Sequence, residues 1–102
     1  MQIPVEITFR GMPRWEKADS EVRAHAAELE RFFDRITSCR VLIELPHQHQ
    51  QQKGQLYHVR IDLTVPGKEI VVKRDPSEHR PHEDLYLAIR DAFRAARRQL
   101  QD

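Results

Sequence analysis

The stretch from Tyr57 to Arg74 narrows the possible folds more than any other part of the chain. Tyr57, Val59, Ile61, Leu63 and Val65 alternate with His58, Arg60, Asp62 and Thr64, the period of two that puts apolar side chains on one face of a half-buried strand. Pro66-Gly67 interrupts the run. Pro presets φ and Gly accepts a positive φ, so the pair reads as a tight turn, and Lys68 to Arg74 becomes the returning strand. Pairing Val65 with Lys68 sets Leu63 opposite Ile70 and Ile61 opposite Val72, apolar against apolar. The other face then pairs Thr64 with Glu69, Asp62 with Val71, and Arg60 with Lys73. A slip of one residue would turn each apolar set to the wrong side, so this hairpin has one register and one buried face.

The rest of the chain supplies what can cover that face. Ile3, Val5, Ile7 and Phe9 alternate with Glu6 and Thr8 over residues 3 to 9, and Gly11-Met12-Pro13 breaks the strand. From Glu16 to Phe33 the period becomes helical, with Val22, Ala26, Leu29 and Phe33 on one stripe. Cys39, Val41, Ile43 and Leu45, opposite Arg40 and Glu44, restore period two. Pro46 to Gly54 reads as a polar loop and Asp75 to Pro81 as a linker. His82 to Gln101 reads as a second helix with Leu85, Ile89, Ala92, Phe93, Ala96 and Leu100 on its stripe. A right-handed crossover places the first two strands parallel, and hairpins make the remaining pairs antiparallel. The expected fold is therefore an α/β domain, an α+β two-layer sandwich of order β-α-β-β-β-α. Both helices cover one face of a four-stranded mixed sheet. At 102 residues a single domain spanning 1–102 is expected, burying roughly two-thirds of its unfolded surface.

Charge and cysteine content exclude several classes. The 17 Lys+Arg against 16 Asp+Glu leave a formal net charge of +1, so any polyanion site has to arise from placement and not from total charge. The one cysteine, Cys39, rules out an internal disulfide and gives no sign of secretion. The opening residues lack the basic and apolar regions of a signal peptide, and no apolar run reaches membrane-spanning length. A cytoplasmic protein without a membrane partner is expected.

Catalytic patterns are missing too. Ser20, Ser38 and Ser77 stand in no nucleophile elbow. Cys39 alternates with core residues, and nothing near it in sequence lowers its pKa. Gly11, Gly54 and Gly67 cannot form a phosphate-cradling loop. Asp84 and Asp91 can share a face of the last helix, an ordinary arrangement for surface acids. The His47-Gln48-His49-Gln50-Gln51-Gln52 loop, with His58, His79 and His82 after it, invites a metal reading. Its spacing matches no recognisable zinc pattern, and a solvated polar loop is the expectation. No catalytic residue, cofactor or metal is assigned.

The basic residues carry more information. Arg90, Arg94, Arg97 and Arg98 stand at i, i+4, i+7 and i+8 on the last helix, off its apolar stripe. Two readings remain open: cations complementing the helix C-terminus, with Asp91 and Asp102 close by, or a stripe that contacts phosphates. Arg60 opposite Lys73 is a second oddity, because facing like charges destabilise a sheet. Asp62 and Glu44 are available to compensate. The first helix leans acidic, with Glu16, Asp19, Glu21, Glu28, Glu30 and Asp34 outnumbering Lys17, Arg23, Arg31 and Arg35.

Four segments in order resemble one family: Thr8-Phe9-Arg10-Gly11, Leu29-Glu30-Arg31-Phe32-Phe33-Asp34-Arg35-Ile36, Val65-Pro66-Gly67, and Glu83-Asp84-Leu85-Tyr86-Leu87-Ala88-Ile89-Arg90-Asp91-Ala92. Over nearly its whole length the chain resembles the ribosome hibernation-promoting factor / RaiA family, whose older members are called sigma-54 modulation proteins. The resemblance implies a fold like a double-stranded-RNA-binding domain with an added strand. It also implies a ribosome-associated, rRNA-binding protein that occupies tRNA and mRNA space at the decoding region of the small subunit. The positions that match the family's basic helices are Arg23, Arg31 and Arg35 on the first and Arg90, Arg94, Arg97 and Arg98 on the last; Arg60 and Lys73 join them from the sheet. The chain stops just past the last helix, so the C-terminal dimerisation domain of the long forms is not expected. The main expectation is translational repression by steric occlusion of the small subunit. The alternatives are a diverged RNA- or protein-binding module of the same shape and, last, a histidine-based metal-binding domain.

Overall fold

The computed structural model describes residues 4–45, 57–74 and 85–101. Its elements are β1 (Val5–Arg10), α1 (Glu16–Phe32), β2 (Ser38–Glu44), β3 (His58–Val65), β4 (Lys68–Arg74) and α2 (Leu85–Gln101). The His/Gln loop, the 75–81 linker and the expected start of the last helix at His82 lie outside the described residues.

Strand order is β1-β2-β3-β4. β1 runs parallel to β2, with Val5 beside Cys39 and Arg10 beside Glu44, and the other two pairs are antiparallel. The β3–β4 register matches the sequence expectation at every pair, from Val65 with Lys68 to Arg60 with Lys73. Gly67 adopts φ 86°, the positive value that the second position of a Pro-Gly turn requires. Gly11, at φ 76°, turns the chain from β1 toward α1.

The helix ends follow from local chemistry. Pro13 precedes α1, and the N–H of Asp19 donates to Trp15 O at 3.0 Å to close its first turn. Glu16 and Asp19 place negative charge at that end, where the helix dipole favours it. Asp19 is only 5% exposed and is held from two sides. Arg23 Nε donates to Oδ1 at 2.8 Å. Arg14 Nη2 lies 3.0 Å from Oδ2, an ion-pair distance not aligned as a hydrogen bond. At the far end Phe33 turns extended (φ −140°, ψ 107°) while its N–H still donates to Leu29 O. This takes Phe33 off the helical stripe. It is half-buried against the edge of the core, less enclosed than its spacing implies.

One core joins the layers. Val22, Ala26 and Leu29 from α1, Ile61 and Leu63 from β3, and Leu85, Ile89 and Phe93 from α2 are all buried in it. Three contacts fix how the helices lie. Trp15 packs on Tyr86, His25 stacks on Phe93, and Arg97 sits over Phe32. The partners advance in the same order along both helices, so α1 and α2 run parallel with their C-terminal halves side by side.

Cys39 is fully buried in this core, and desolvation, with a smaller contribution from the Asp62 charge, pushes its thiol up to about 11. The folded protein therefore holds this proton more tightly than the unfolded chain does. The stability so gained is complete below pH 9 and is lost as pH rises toward 11, because the unfolded state ionises first. At pH 8 a thiol reagent should modify Cys39 only as fast as the domain opens, and the alkaline limb of a pH–stability curve should flatten in Cys39→Ala. Fast modification of the folded protein would contradict this.

Candidate nucleic-acid interface

The two sides of the domain treat their charges differently. On the outer sheet face the register aligns Glu6, Arg40, Asp62 and Val71 in one row across the strands, and Thr8, Leu42, Arg60 and Lys73 in the next. The arginines there are spoken for. Arg10 lies 3.9 Å from Glu44, Arg40 3.7 Å from Glu69, and Arg60 3.0 Å from Asp62. The like-charge pair of Arg60 and Lys73 is thus relieved by turning the guanidinium along its own strand to Asp62. Exposed pairs of this kind contribute little stability each, but together they leave an alternating, nearly balanced surface.

On the helical side charge is separated, with α1 acidic and α2 basic. An open cleft of about 290 Å³ runs between the C-terminal halves of the helices, lined by His25, Glu28, Leu29 and Phe32 from α1 and Arg90, Phe93, Arg94 and Arg97 from α2. Arg90 reaches Asp91 Oδ1 at 3.4 Å with one terminal nitrogen, while its Nε is buried without a hydrogen-bond partner. Among the described residues, no carboxylate lies within ion-pairing distance of Arg94, Arg97 or Arg98. Arg97 instead sits 4.0 Å above the Phe32 ring, whose negative face attracts the cation. The cleft therefore holds three guanidiniums against one carboxylate, with aromatic groups at its wall and floor.

The sequence-derived basic positions fall on separate surfaces. Arg90, Arg94 and Arg97 line the cleft, and Arg98 is exposed beside them on α2. Arg31 is exposed in the last turn of α1, and Arg35, expected on that helix, is exposed in the turn that follows it, at the end of the molecule where Arg97 meets Phe32. Arg23 is nine residues from Phe32, which at about 100° per residue is half a turn. It therefore faces away from the cleft, paired with Asp19. Arg60 and Lys73 are on the outer sheet face, in the other layer. Sequence reasoning passed over Phe32 and His25. The signal for Phe32 was a large aromatic residue just off the apolar stripe, 40% exposed in the folded chain. No group of three or more metal-ligating side chains occurs among the described residues, and no helix there is long and apolar enough to cross a membrane.

A family model described as sigma 54 modulation protein / S30EA ribosomal protein matches residues 5–102. The chain belongs to this family. Membership makes this S30EA-family protein a ribosome-associated one. Its fold is similar to a ribosomal subunit interface protein from Coxiella burnetii at TM-score 0.74 and 15% identity, covering 97% of this chain and 94% of that one. It is also similar to the N-terminal domain of Protein Y from Thermus thermophilus, at TM-score 0.72 and 21% identity over the same shares. No curated protein sequence matches it.

Proposed function

We propose that this S30EA-family protein binds the small ribosomal subunit near the decoding region and represses translation by filling space that mRNA and tRNA need. The arginines of α2 make the principal contact, and the single observation that carries this reading is that Arg94, Arg97 and Arg98, unlike Arg90, have no carboxylate partner among the described residues. Arg94, Arg97 and Arg98 are held side by side at one end of the domain, whereas Arg10, Arg40 and Arg60 on the sheet are paired. Mutual repulsion makes such a cluster unfavourable alone, and a polyanion relieves it. Helix-borne guanidiniums suit phosphate contacts that position a protein on RNA. The major groove of A-form RNA is too narrow for side chains to read, so duplex segments are met by shape and backbone. Arg31 and Arg35 extend the basic end, while Arg23, Arg60 and Lys73 serve as peripheral contacts. The protein works as a plug and not as a catalyst.

Co-sedimentation of untagged protein with separated small and large subunits, across a salt series, tests this. Binding to small subunits that falls steeply with salt is expected, since each neutralised phosphate releases counterions. Pelleting with large subunits alone would overturn the small-subunit reading, and pelleting with neither at low salt would favour a module that has left the ribosome.

A further inference from the structure

We propose that the cleft between α1 and α2 holds one unstacked nucleotide of single-stranded RNA, its base against Phe32 and its phosphates against the arginines of α2. This rests on the ribosome-binding reading only for the identity of the RNA. The cleft itself argues for the chemistry.

A surface built only to touch duplex phosphates has no use for an exposed aromatic ring. Phe32 remains 40% exposed although a core lies beside it, and the Arg97 guanidinium carbon sits 4.0 Å from its ring centroid. Ring and guanidinium together offer planar π surface, and RNA-binding proteins stack splayed-out bases on such groups. The floor repeats the theme, because His25 stacks on Phe93 with ring centroids 5.4 Å apart and planes 14° from parallel.

The two walls are also chemically distinct. Arg90, Arg94 and Arg97 come from α2, whereas α1 contributes Glu28. A phosphate is drawn to the first wall and repelled from the second, so a ligand has to present its anionic part to α2 and its neutral part to α1. A nucleotide has that polarity, since its base can donate an amino or imino hydrogen to a carboxylate. Size agrees. Pockets for drug-sized ligands run from about 300 to 1,000 Å³, so about 290 Å³ suits one nucleotide and excludes a helix.

The test compares a short single-stranded RNA carrying 2-aminopurine with a blunt RNA duplex of equal charge, titrated with the intact protein. Wild type should prefer the single strand and change the 2-aminopurine fluorescence on binding. Phe32→Leu keeps an apolar side chain but removes the aromatic face, so it should weaken single-strand binding about tenfold. Its salt dependence should stay close to wild type, and its melting temperature should fall by no more than the few degrees that the lost Arg97 contact accounts for. Arg94→Gln should instead flatten the salt slope. Equal affinity for single strand and duplex, or an unchanged Phe32→Leu, would overturn the proposal. A protein that pellets with small subunits but shows no single-strand preference loses this proposal and keeps the ribosome reading. One that binds the oligonucleotide as predicted yet ignores ribosomes does the reverse.

Discussion

Replacing Phe93 with Ala is expected to lower the free energy of unfolding by about 3–5 kcal/mol, the usual cost of emptying a buried aromatic site. Phe93 is 4% exposed, belongs to the core shared by both layers, and forms the floor of the inter-helix cleft. Deleting it removes apolar contacts and leaves a cavity, and the stacked His25 ring loses its neighbour. A domain of this size has only about 5–15 kcal/mol to lose, so the variant should sit near the edge of folding. At about 4–8 °C per kcal/mol for small domains, its melting temperature should fall on the order of 15 °C or more. Phe93→Leu, closer in volume, should recover much of the loss. Urea titrations of the three proteins decide the matter, and a cost under about 1 kcal/mol for Phe93→Ala would show that the two layers do not share one core.

The double substitution of Arg94 and Arg97 by Gln should have the largest effect on function and little on the fold. If each guanidinium contacts one phosphate, the plot of log affinity against log salt should lose about one unit of slope per contact, so binding to small subunits weakens most at low salt. Stability should fall only by what the Arg97–Phe32 contact contributes, since among the described residues neither arginine has a carboxylate to leave unpaired. Losing the Arg97–Phe32 contact costs about 0.5–1 kcal/mol at an exposed site. The competing reading, in which these cations serve only the helix terminus, forecasts a stability loss of about 0.3–1 kcal/mol per charge and unchanged ribosome association. A salt titration of pelleting separates the two, and a thermal melt on the same variant checks that it is folded. Retained affinity with a retained slope would take α2 out of the interface.

Some of this was legible in the sequence for plain reasons. Period two around Pro66-Gly67 admits one register, and β3 and β4 adopt it at every pair. The same alternation assigns Arg60 and Lys73 to the face away from the helices, so they could not have joined α2 in one patch. Asp62 as the partner of Arg60 was foreseeable from their shared face. The arginine spacing on α2 was equally open to reading. The cleft was not, because it exists only where two helices meet. Which flank of α1 turns toward α2 is decided by packing, and until it is known Phe32 is one more aromatic near a stripe and Arg23 looks equivalent to Arg31. Phe33 shows the opposite failure. Its spacing matched the core stripe, but the helix ends one residue earlier and the change of backbone direction carries its ring to the margin.

The self-neutralised sheet has a consequence for selectivity. A protein covered in lysine and arginine adheres to any nucleic acid it meets, because non-specific affinity is almost wholly electrostatic. This chain carries a formal net charge of only +1, and on the outer sheet face Arg10, Arg40 and Arg60 each lie within ion-pairing distance of an acid. Its attraction to a polyanion is therefore directional. Approached sheet-first it has little to offer, while approached by the arginine-bearing end of the helices it is strongly drawn. Such a molecule meets a polyanion in one preferred orientation, because an uneven field steers it before contact. Low total charge and a concentrated basic end together favour finding one docking place among many similar backbones.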